Sequence, residues 1–83
     1  MDRIFHALSD ETRIKIIEAL KDGEICACQF VAMTGKAQPT VSQHLRVLEQ
    51  AKILRSRKEG KMVLYALRDR RIIDLITKAR EIR

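Results

Sequence analysis

The sequence has no long apolar run, few glycines and one proline. None of its apolar stretches approaches the roughly 20 residues that a helix needs to cross a bilayer, and residues 1–6 (MDRIFH) lack the charged and then apolar order of a signal peptide. Three glycines and the single Pro39 leave no phosphate-binding glycine loop, no linker and no repeat. The sequence shows neither paired carboxylates nor a nucleophile beside a base, so it carries no indication of an enzyme. We therefore expect a soluble, cytoplasmic, non-catalytic protein with no membrane partner, and one domain spanning residues 1–83.

The charged residues are mostly basic, and they are concentrated in the second half of the chain. The net charge is +6; residues 1–35 carry four Lys/Arg and six Asp/Glu, whereas residues 36–83 carry thirteen and five. This asymmetry predicts a surface for a polyanion, and a solvated basic face without a partner is the simpler alternative. A chain this short buries only about 60% of its unfolded surface, so dimerisation is expected to bury more.

Apolar residues at helical spacing predict a run of helices before any strand. Residues 2–8 form a short helix, and Ser9 and Asp10 offer a side-chain cap for a second one. A third apolar stretch, residues 25–33, stops where Gly35 suits a left-handed helix end.

A fourth helix is predicted to start near Pro39, because proline is tolerated in a first helical turn. Val41, Leu45 and Leu48 recur at the spacing of a buried helical stripe.

The pattern then changes to a hairpin. Residues 53–58 and 61–67 read as strands on either side of Glu59 and Gly60, and a last apolar helix follows an Asp69 cap. The prediction is a mainly α fold with a small β-hairpin, in the order α-α-α-α-β-β-α. The third and fourth helices, joined by a short turn, followed by a hairpin, are the parts of a winged helix-turn-helix.

The exposed side of the fourth helix is the predicted reading surface for double-stranded DNA. With the apolar stripe buried, the helical period places Gln43 opposite it, with Thr40 and Arg46 alongside. Gln suits an adenine edge and Arg a guanine edge, while the Thr methyl group or Val47 suits a thymine methyl.

Further predicted DNA contacts lie at the edges of that helix and on the hairpin. Ser42 and His44 are placed to hold phosphates, and the basic hairpin is placed to follow the backbone. The predicted DNA-binding residues are Thr40, Ser42, Gln43, His44, Arg46, Arg55, Arg57, Lys58 and Lys61. A winged helix that docks a protein is the alternative.

The last helix carries apolar residues over more of its circumference than one small core can cover, and the first helix is also apolar. We therefore predict a homodimer interface formed by Ile4, Phe5, Leu8, Ile72, Ile73, Ile76 and Ala79. A monomer with a loose apolar end is the alternative.

Four stretches of the sequence resemble the ArsR/SmtB family of metal- and metalloid-responsive repressors. Residues 5–13 (FHALSDETR) are similar to the opening signature, residues 24–28 (EICAC) to the ELCVC box, residues 38–45 (QPTVSQHL) to the recognition helix, and residues 59–67 to the wing. The resemblance implies a symmetric dimer that represses transcription from a palindromic DNA operator and is released by an inducer. The family's other metal site, on the last helix, is rejected because Arg71 stands where a His belongs.

Cys26 and Cys28 are the candidate metal ligands. A helix start favours a thiolate, and thiolates suit soft ions, with As(III) or Sb(III) favoured over Cd(II) or Cu(I). Residues two apart in a regular helix point about 200° from each other, so an ion shared by both is expected to need an irregular or unwound first turn. Relatives with a third cysteine here would carry it at Val31. No cofactor is expected for folding; inert packing and a redox switch are the alternative roles, and His6 is too isolated to be a ligand.

Overall fold

The computed structural model describes residues 2–82, and it confirms the mainly helical fold with a small hairpin. The elements of this part of the chain are α1 (Asp2–Ala7), α2 (Glu11–Ala19) with a 3₁₀ turn (Leu20–Asp22), β1 (Ile25–Cys26), α3 (Ala27–Thr34), α4 (Gln38–Gln50), β2 (Leu54–Glu59), β3 (Met62–Leu67) and α5 (Arg71–Glu81). The predicted order lacks β1. No helix within residues 2–82 is long and apolar enough to span a bilayer.

Helix α2 begins where the sequence predicts, because Asp10 satisfies a backbone donor of its first turn. The Asp10 carboxylate accepts a hydrogen bond from the Arg13 N–H at 3.1 Å, which is the usual role of an N-cap side chain. Ile16 and Ile17 then place the apolar side of α2 in the core, each at most 1% exposed.

Helices α3 and α4 are separated by the predicted glycine turn. Gly35 has φ 69°, and its N–H donates to the Val31 carbonyl at 3.0 Å. On α4, Val41, Leu45 and Leu48 are at most 3% exposed, so the buried stripe is confirmed. The two helices therefore form a helix-turn-helix whose second helix is anchored by its apolar side.

Helix α4 ends in a Schellman motif in which a lysine takes the place usually held by glycine. The Ile53 N–H donates to the Leu48 carbonyl at 3.0 Å, and the Lys52 N–H donates to the Glu49 carbonyl at 2.9 Å. Lys52 has φ 61°, the one non-glycine residue with positive φ in the described chain. Because an L side chain crowds the backbone in this conformation, Lys52 is a strained position.

The three strands form one antiparallel sheet in the order β1-β3-β2. β2 and β3 pair from Leu54 opposite Leu67 to Glu59 opposite Met62. The connecting turn is therefore Gly60 and Lys61, one residue later than predicted, with Gly60 at φ 62°. Glycine is favoured at the first central position of such a hairpin turn because φ is positive there.

Strand β1 joins the helix-turn-helix to the hairpin. Ile25 lies opposite Tyr65 and Cys26 opposite Leu64, and the rings of Phe30 and Tyr65 meet edge to face with centroids 6.3 Å apart. Ile25 and Cys26 thus form a strand where the sequence predicts the start of the third helix, because two residues are too few to show the alternation of a strand. The start of α3 is thus tied to the inner strand of the hairpin.

Helix α5 begins at Arg71, with Arg70 rather than Asp69 at the N-cap position. Asp69 still accepts a hydrogen bond from the Arg71 N–H at 2.9 Å. Ile72 and Ile76 pack into the core of their own chain, 9% and 5% exposed. Ile82 follows the last helical turn and is 81% exposed.

Candidate nucleic-acid interface and thiol site

The side of α4 opposite its apolar stripe faces solvent. Thr40, Gln43 and Arg46 are exposed, as is Ser42 at the edge. Val47 departs from the expectation, because it is half-buried and packs against the core. The polar side of α4 is therefore available to a groove of DNA along its first two turns.

His44 is turned towards the body of the protein, which corrects the expectation that it holds a phosphate. Its side chain is 17% exposed, and its Nε2 lies 3.9 Å from Oδ1 of Asp10. Its Nδ1 is buried with no hydrogen-bond partner among residues 2–82. Together with the Arg13 N–H, the charge of His44 lowers the pKa of Asp10 even though burial opposes the shift. His44 thus connects α4 to the cap of α2.

The hairpin carries exposed cations on β2, at Arg55 and Lys58, and in its turn, at Lys61. None of the three forms an ion pair with another of the residues 2–82. The base of the hairpin is held to α4, because the Ser56 hydroxyl donates to a carboxylate oxygen of Glu49 at 2.9 Å. These cations therefore lie on a hairpin whose position relative to α4 is fixed.

Arg57 is predicted with these cations to contact DNA, but unlike them it is held in ion pairs. Its Nε and Nη2 donate to the two carboxylate oxygens of Glu24 at 2.7 and 2.8 Å, and Glu59 lies 3.2 Å away. The hydrogen bond lowers the pKa of Glu24 and raises that of Arg57. Its charge is offset by two carboxylates, so Arg57 connects β2 to the residue that precedes β1. No local pattern indicates Glu24 as its partner, because 33 positions separate the two residues.

The two cysteine sulfurs already lie together. The Sγ atoms of Cys26 and Cys28 are 2.9 Å apart. Cys26 is the last residue of β1 and the N-cap of α3, with extended backbone angles of φ −68° and ψ 139°, and Gln29 Oε1 accepts a hydrogen bond from its N–H at 3.1 Å. The irregular start that the sequence predicts is therefore present, because Cys26 is extended and precedes α3, and the two sulfurs meet without any unwinding of the helix.

One of the two thiols is the better thiolate. The hydrogen bond with Cys28 lowers the pKa of Cys26, assisted by the backbone N–H groups of Cys28 and Val63. The same hydrogen bond raises the pKa of Cys28. Of the two sulfurs, Cys26 is therefore the one on which a negative charge is more favourable.

A hollow of about 500 Å³ brings the thiols together with the start of α4 and the hairpin turn. The two cysteines form one wall, Gln38 and Ser42 of α4 another, and Met62 lies beside Lys61 at the turn. Val31, where three-cysteine relatives are expected to have their third sulfur, also lines the hollow. No group of three His, Cys, Asp or Glu side chains within residues 2–82 is placed to hold a metal ion. Met62 carries no signal in the sequence as a neighbour of the cysteines, since only the β1–β3 pairing brings it to the same hollow.

A second surface is apolar and is formed by α1 and α5. Phe5 is 58% exposed and Leu75 43%, and both line a groove of about 460 Å³. Phe5 is a predicted interface residue, whereas Leu75 is not among those predicted. Of the remaining predicted residues, Ala79 is exposed, and Ile4, Leu8 and Ile73 are half-buried. Ile72 and Ile76 are mostly packed in the core of their own chain, although Ile76 also lines this groove, and their part in an interface stays a prediction.

The start of α5 offers no metal site. Nη2 of Arg71 lies 2.6 Å from a carboxylate oxygen of Asp69, and this hydrogen bond lowers the pKa of Asp69 to about 2. The carboxylate is therefore engaged by the arginine that stands where a metal-binding histidine was sought. His6 is exposed on α1 and lines a shallow hollow with Val47, away from the cysteines.

Comparison with known proteins gives a consistent result. The sequence model described as "Bacterial regulatory protein, arsR family" matches residues 10–56. The chain is 42% identical to a cadmium resistance transcriptional regulatory protein CadC homolog of Staphylococcus aureus, over 93% of this chain and 64% of that protein. It is 39% identical to the arsenical resistance operon repressor of Escherichia coli, over 78% of this chain and 56% of that protein. It thus spans less than two thirds of the length of each relative.

A solved structure supports the same architecture. The transcriptional repressor BigR from Xylella fastidiosa superposes with a TM-score of 0.85 at 27% sequence identity, over 98% of this chain and 83% of that one. The winged helix-turn-helix fold is therefore shown by the structural similarity as well as by the order of the elements.

Proposed function

Because the chain belongs to the arsR family of bacterial regulatory proteins, we propose that it is a transcriptional repressor that binds duplex DNA as a homodimer and leaves its operator when a soft metal or metalloid ion binds Cys26 and Cys28. The observation that carries the DNA-binding part is the exposed polar side of α4, held by its buried stripe beside a basic hairpin. A helix presented in this way suits the major groove.

Base reading is assigned to the first two turns of α4. Gln43 and Arg46 are exposed and have the side chains that pair with adenine and guanine edges. Thr40 and Ser42 lie nearer the helix start, where a methyl group or a hydroxyl meets a base or a phosphate. His44 is left out of this assignment because it faces Asp10.

Backbone contact is assigned to Arg55, Lys58 and Lys61 of the hairpin. When unpaired Lys or Arg side chains neutralise phosphates, the counterions condensed on the DNA are released, and this contributes to affinity for DNA of any sequence. Arg57 is excluded from the assignment, since Glu24 and Glu59 already offset its charge. Contacts of this kind position a protein on DNA without reading its sequence.

The homodimer is proposed to form through the apolar surface of α1 and α5. Phe5 and Leu75 expose large apolar side chains on adjacent helices, and an apolar patch on a small protein commonly marks an interface. A two-fold dimer presents two α4 helices to two half-sites, which is the reason to expect a palindromic operator.

Release by an ion is proposed to act through the hollow beside the cysteines. The paired sulfurs fit a soft ion, and the same hollow is lined by the start of α4 and by the hairpin turn. An ion held by the cysteines therefore lies in a hollow that is bounded by the two parts assigned to DNA. If the ion and the operator favour different positions of these parts, binding of one weakens binding of the other by the same factor.

The ion is proposed to be thiophilic. The names of two relatives refer to cadmium resistance and to arsenical resistance, and both elements bind thiolates. As(III) or Sb(III), and next Cd(II) or Cu(I), are the ions to test, with Zn(II) and peroxide added to separate metal binding from thiol oxidation.

The test uses a duplex that the protein itself selects from random-sequence DNA. Gln43→Ala should weaken binding to the selected duplex by about 1–3 kcal/mol and leave binding to random DNA nearly unchanged. Gln50→Ala is the matched control, because Gln50 is exposed at the other end of α4. An equal loss on both DNAs would show that Gln43 does not read bases.

The release arm adds each ion to the protein–DNA complex. The Cys26→Ser/Cys28→Ser variant should bind the duplex like the parent and remain bound when the ion is added. Continued release of this variant would contradict the thiol site, and release of the parent by peroxide alone would favour the redox role.

A further inference from the structure

We propose that Met62 supplies a third sulfur ligand and that the site formed by Cys26, Cys28 and Met62 takes monovalent copper, Cu(I). This inference rests on the thiol site of the proposed function and names its third ligand and its preferred ion. The site joins two neighbouring cysteines to a methionine that is distant in the sequence, and all three residues line one hollow.

The sheet places Met62 close to the thiols. Cys26 lies opposite Leu64 on β3, and Ile25 lies opposite Tyr65. Met62 lies beyond Leu64 towards the hairpin turn, and its side chain lines the same hollow as both cysteines.

The Met62 side chain is also free to move. It is 48% exposed, and methionine is unbranched with three rotatable bonds, so its thioether can reach a nearby ion without a backbone change. Met33, at the other end of α3, is 46% exposed and does not line this hollow. The described chain therefore contains a matched methionine that lacks the proposed role.

The donor set favours Cu(I) over the other soft ions. Thiolate and thioether ligands together select Cu(I), whereas a thioether adds little to As(III), which is satisfied by thiolates. No third His, Cys, Asp or Glu joins the cysteines within residues 2–82 to suit a harder divalent ion. Two thiolates and Cu(I) leave one net negative charge, and the exposed ammonium group of Lys61, which lines the hollow, is placed to offset it.

The experiment measures Cu(I) affinity of the full chain by anaerobic competition with a chromophoric chelator. Met62→Leu should weaken Cu(I) binding by at least the roughly 10-fold that loss of even a supporting group around a metal commonly causes. Met33→Leu should bind Cu(I) like the parent, and neither variant should change As(III) affinity. Leucine and methionine have similar volumes, so both variants are expected to fold, which circular dichroism checks.

A second measurement observes the bond itself. In protein labelled with selenomethionine and loaded with Cu(I), X-ray absorption should show copper–selenium scattering that Met62→Leu abolishes and Met33→Leu retains. Absence of this scattering, or equal Cu(I) affinity in Met62→Leu and the parent, overturns the proposal for Met62. If the cysteine double variant also binds Cu(I) normally and is released from DNA, the thiol site of the proposed function has failed as well.

Discussion

Removing the hairpin cations one at a time should change the salt dependence of DNA binding by amounts that differ between residues. Arg55, Lys58 and Lys61 form no ion pair with any of the residues 2–82, whereas Arg57 is held by Glu24 through two hydrogen bonds. The structure therefore predicts that three alanine substitutions reduce the number of phosphate contacts and that the fourth does not.

The magnitude follows from counterion release. Each phosphate contact contributes about 0.9 to the slope of log affinity against log salt, so one substitution in the proposed homodimer, which has two hairpins, removes about 1.8. When the salt concentration rises from about 50 to 200 mM, the variant should therefore lose roughly 12-fold less DNA affinity than the parent loses. Arg55→Ala, Lys58→Ala and Lys61→Ala should each show it, while Arg57→Ala should leave the slope near that of the parent.

Neutralising Glu24, the partner of Arg57, is expected to make the salt dependence of DNA binding steeper. The hydrogen bond with Arg57 lowers the pKa of Glu24, so the carboxylate is ionised at neutral pH and the pair persists. Glu24→Gln removes this charge and leaves Arg57 freer to meet a phosphate. The variant should bind DNA more tightly at low salt, with a slope steeper by up to about 0.9 per hairpin.

The assay is fluorescence anisotropy of a labelled duplex, titrated with each variant across a series of salt concentrations at constant pH. Lys78→Ala is the control for net charge, because Lys78 is 80% exposed on α5, away from the hairpin. The reasoning is refuted if Arg57→Ala flattens the slope as much as Arg55→Ala, or if Lys78→Ala has the same effect.

Three further substitutions test the fold and the dimer. Lys52→Gly should raise the free energy of unfolding in urea by about 0.5–1 kcal/mol, because glycine adopts the left-handed conformation of this position without strain. The greater conformational freedom of glycine in the unfolded chain offsets part of this gain. Lys52→Ala should have little effect. Asp10→Ala should lower that free energy by about 1 kcal/mol at neutral pH. Because the folded pKa of Asp10 is lowered from its usual 3.8, its contribution is present above that pH and is lost as the pH falls through the folded value. Leu75→Glu should shift the sedimentation coefficient towards that of the monomer, whereas Thr77→Glu, exposed on the same helix, should not; an unchanged dimer in Leu75→Glu would contradict the proposed interface.

Local features of the fold could be predicted from the sequence because their causes are local. The cap at Asp10 and the left-handed Gly35 depend on backbone groups within a few residues. The stripe of α4 follows from the helical period. Each of these was confirmed because no distant contact opposes it.

The errors arose where a distant contact decides the outcome. His44 has the spacing of an edge residue on α4, but its orientation depends on Asp10, on another helix. Arg57 alternates like its neighbours on β2, and only the fold brings Glu24 within hydrogen-bond distance. Strand β1 exists because β3 pairs with it, so Cys26 leaves the helical pattern that its sequence neighbours suggest.

The position of β2 at the outside of the sheet gives its cations a consequence that is independent of DNA. Within the described chain, β2 pairs with β3 alone, so its other side offers unpaired backbone groups to any extended peptide. Charged side chains on such a strand discourage a second sheet from adding to it. Replacing Arg55 and Lys58 together by apolar residues should therefore make the protein prone to aggregation, and a loss of DNA binding in that double variant would need to be separated from a loss of dispersed protein.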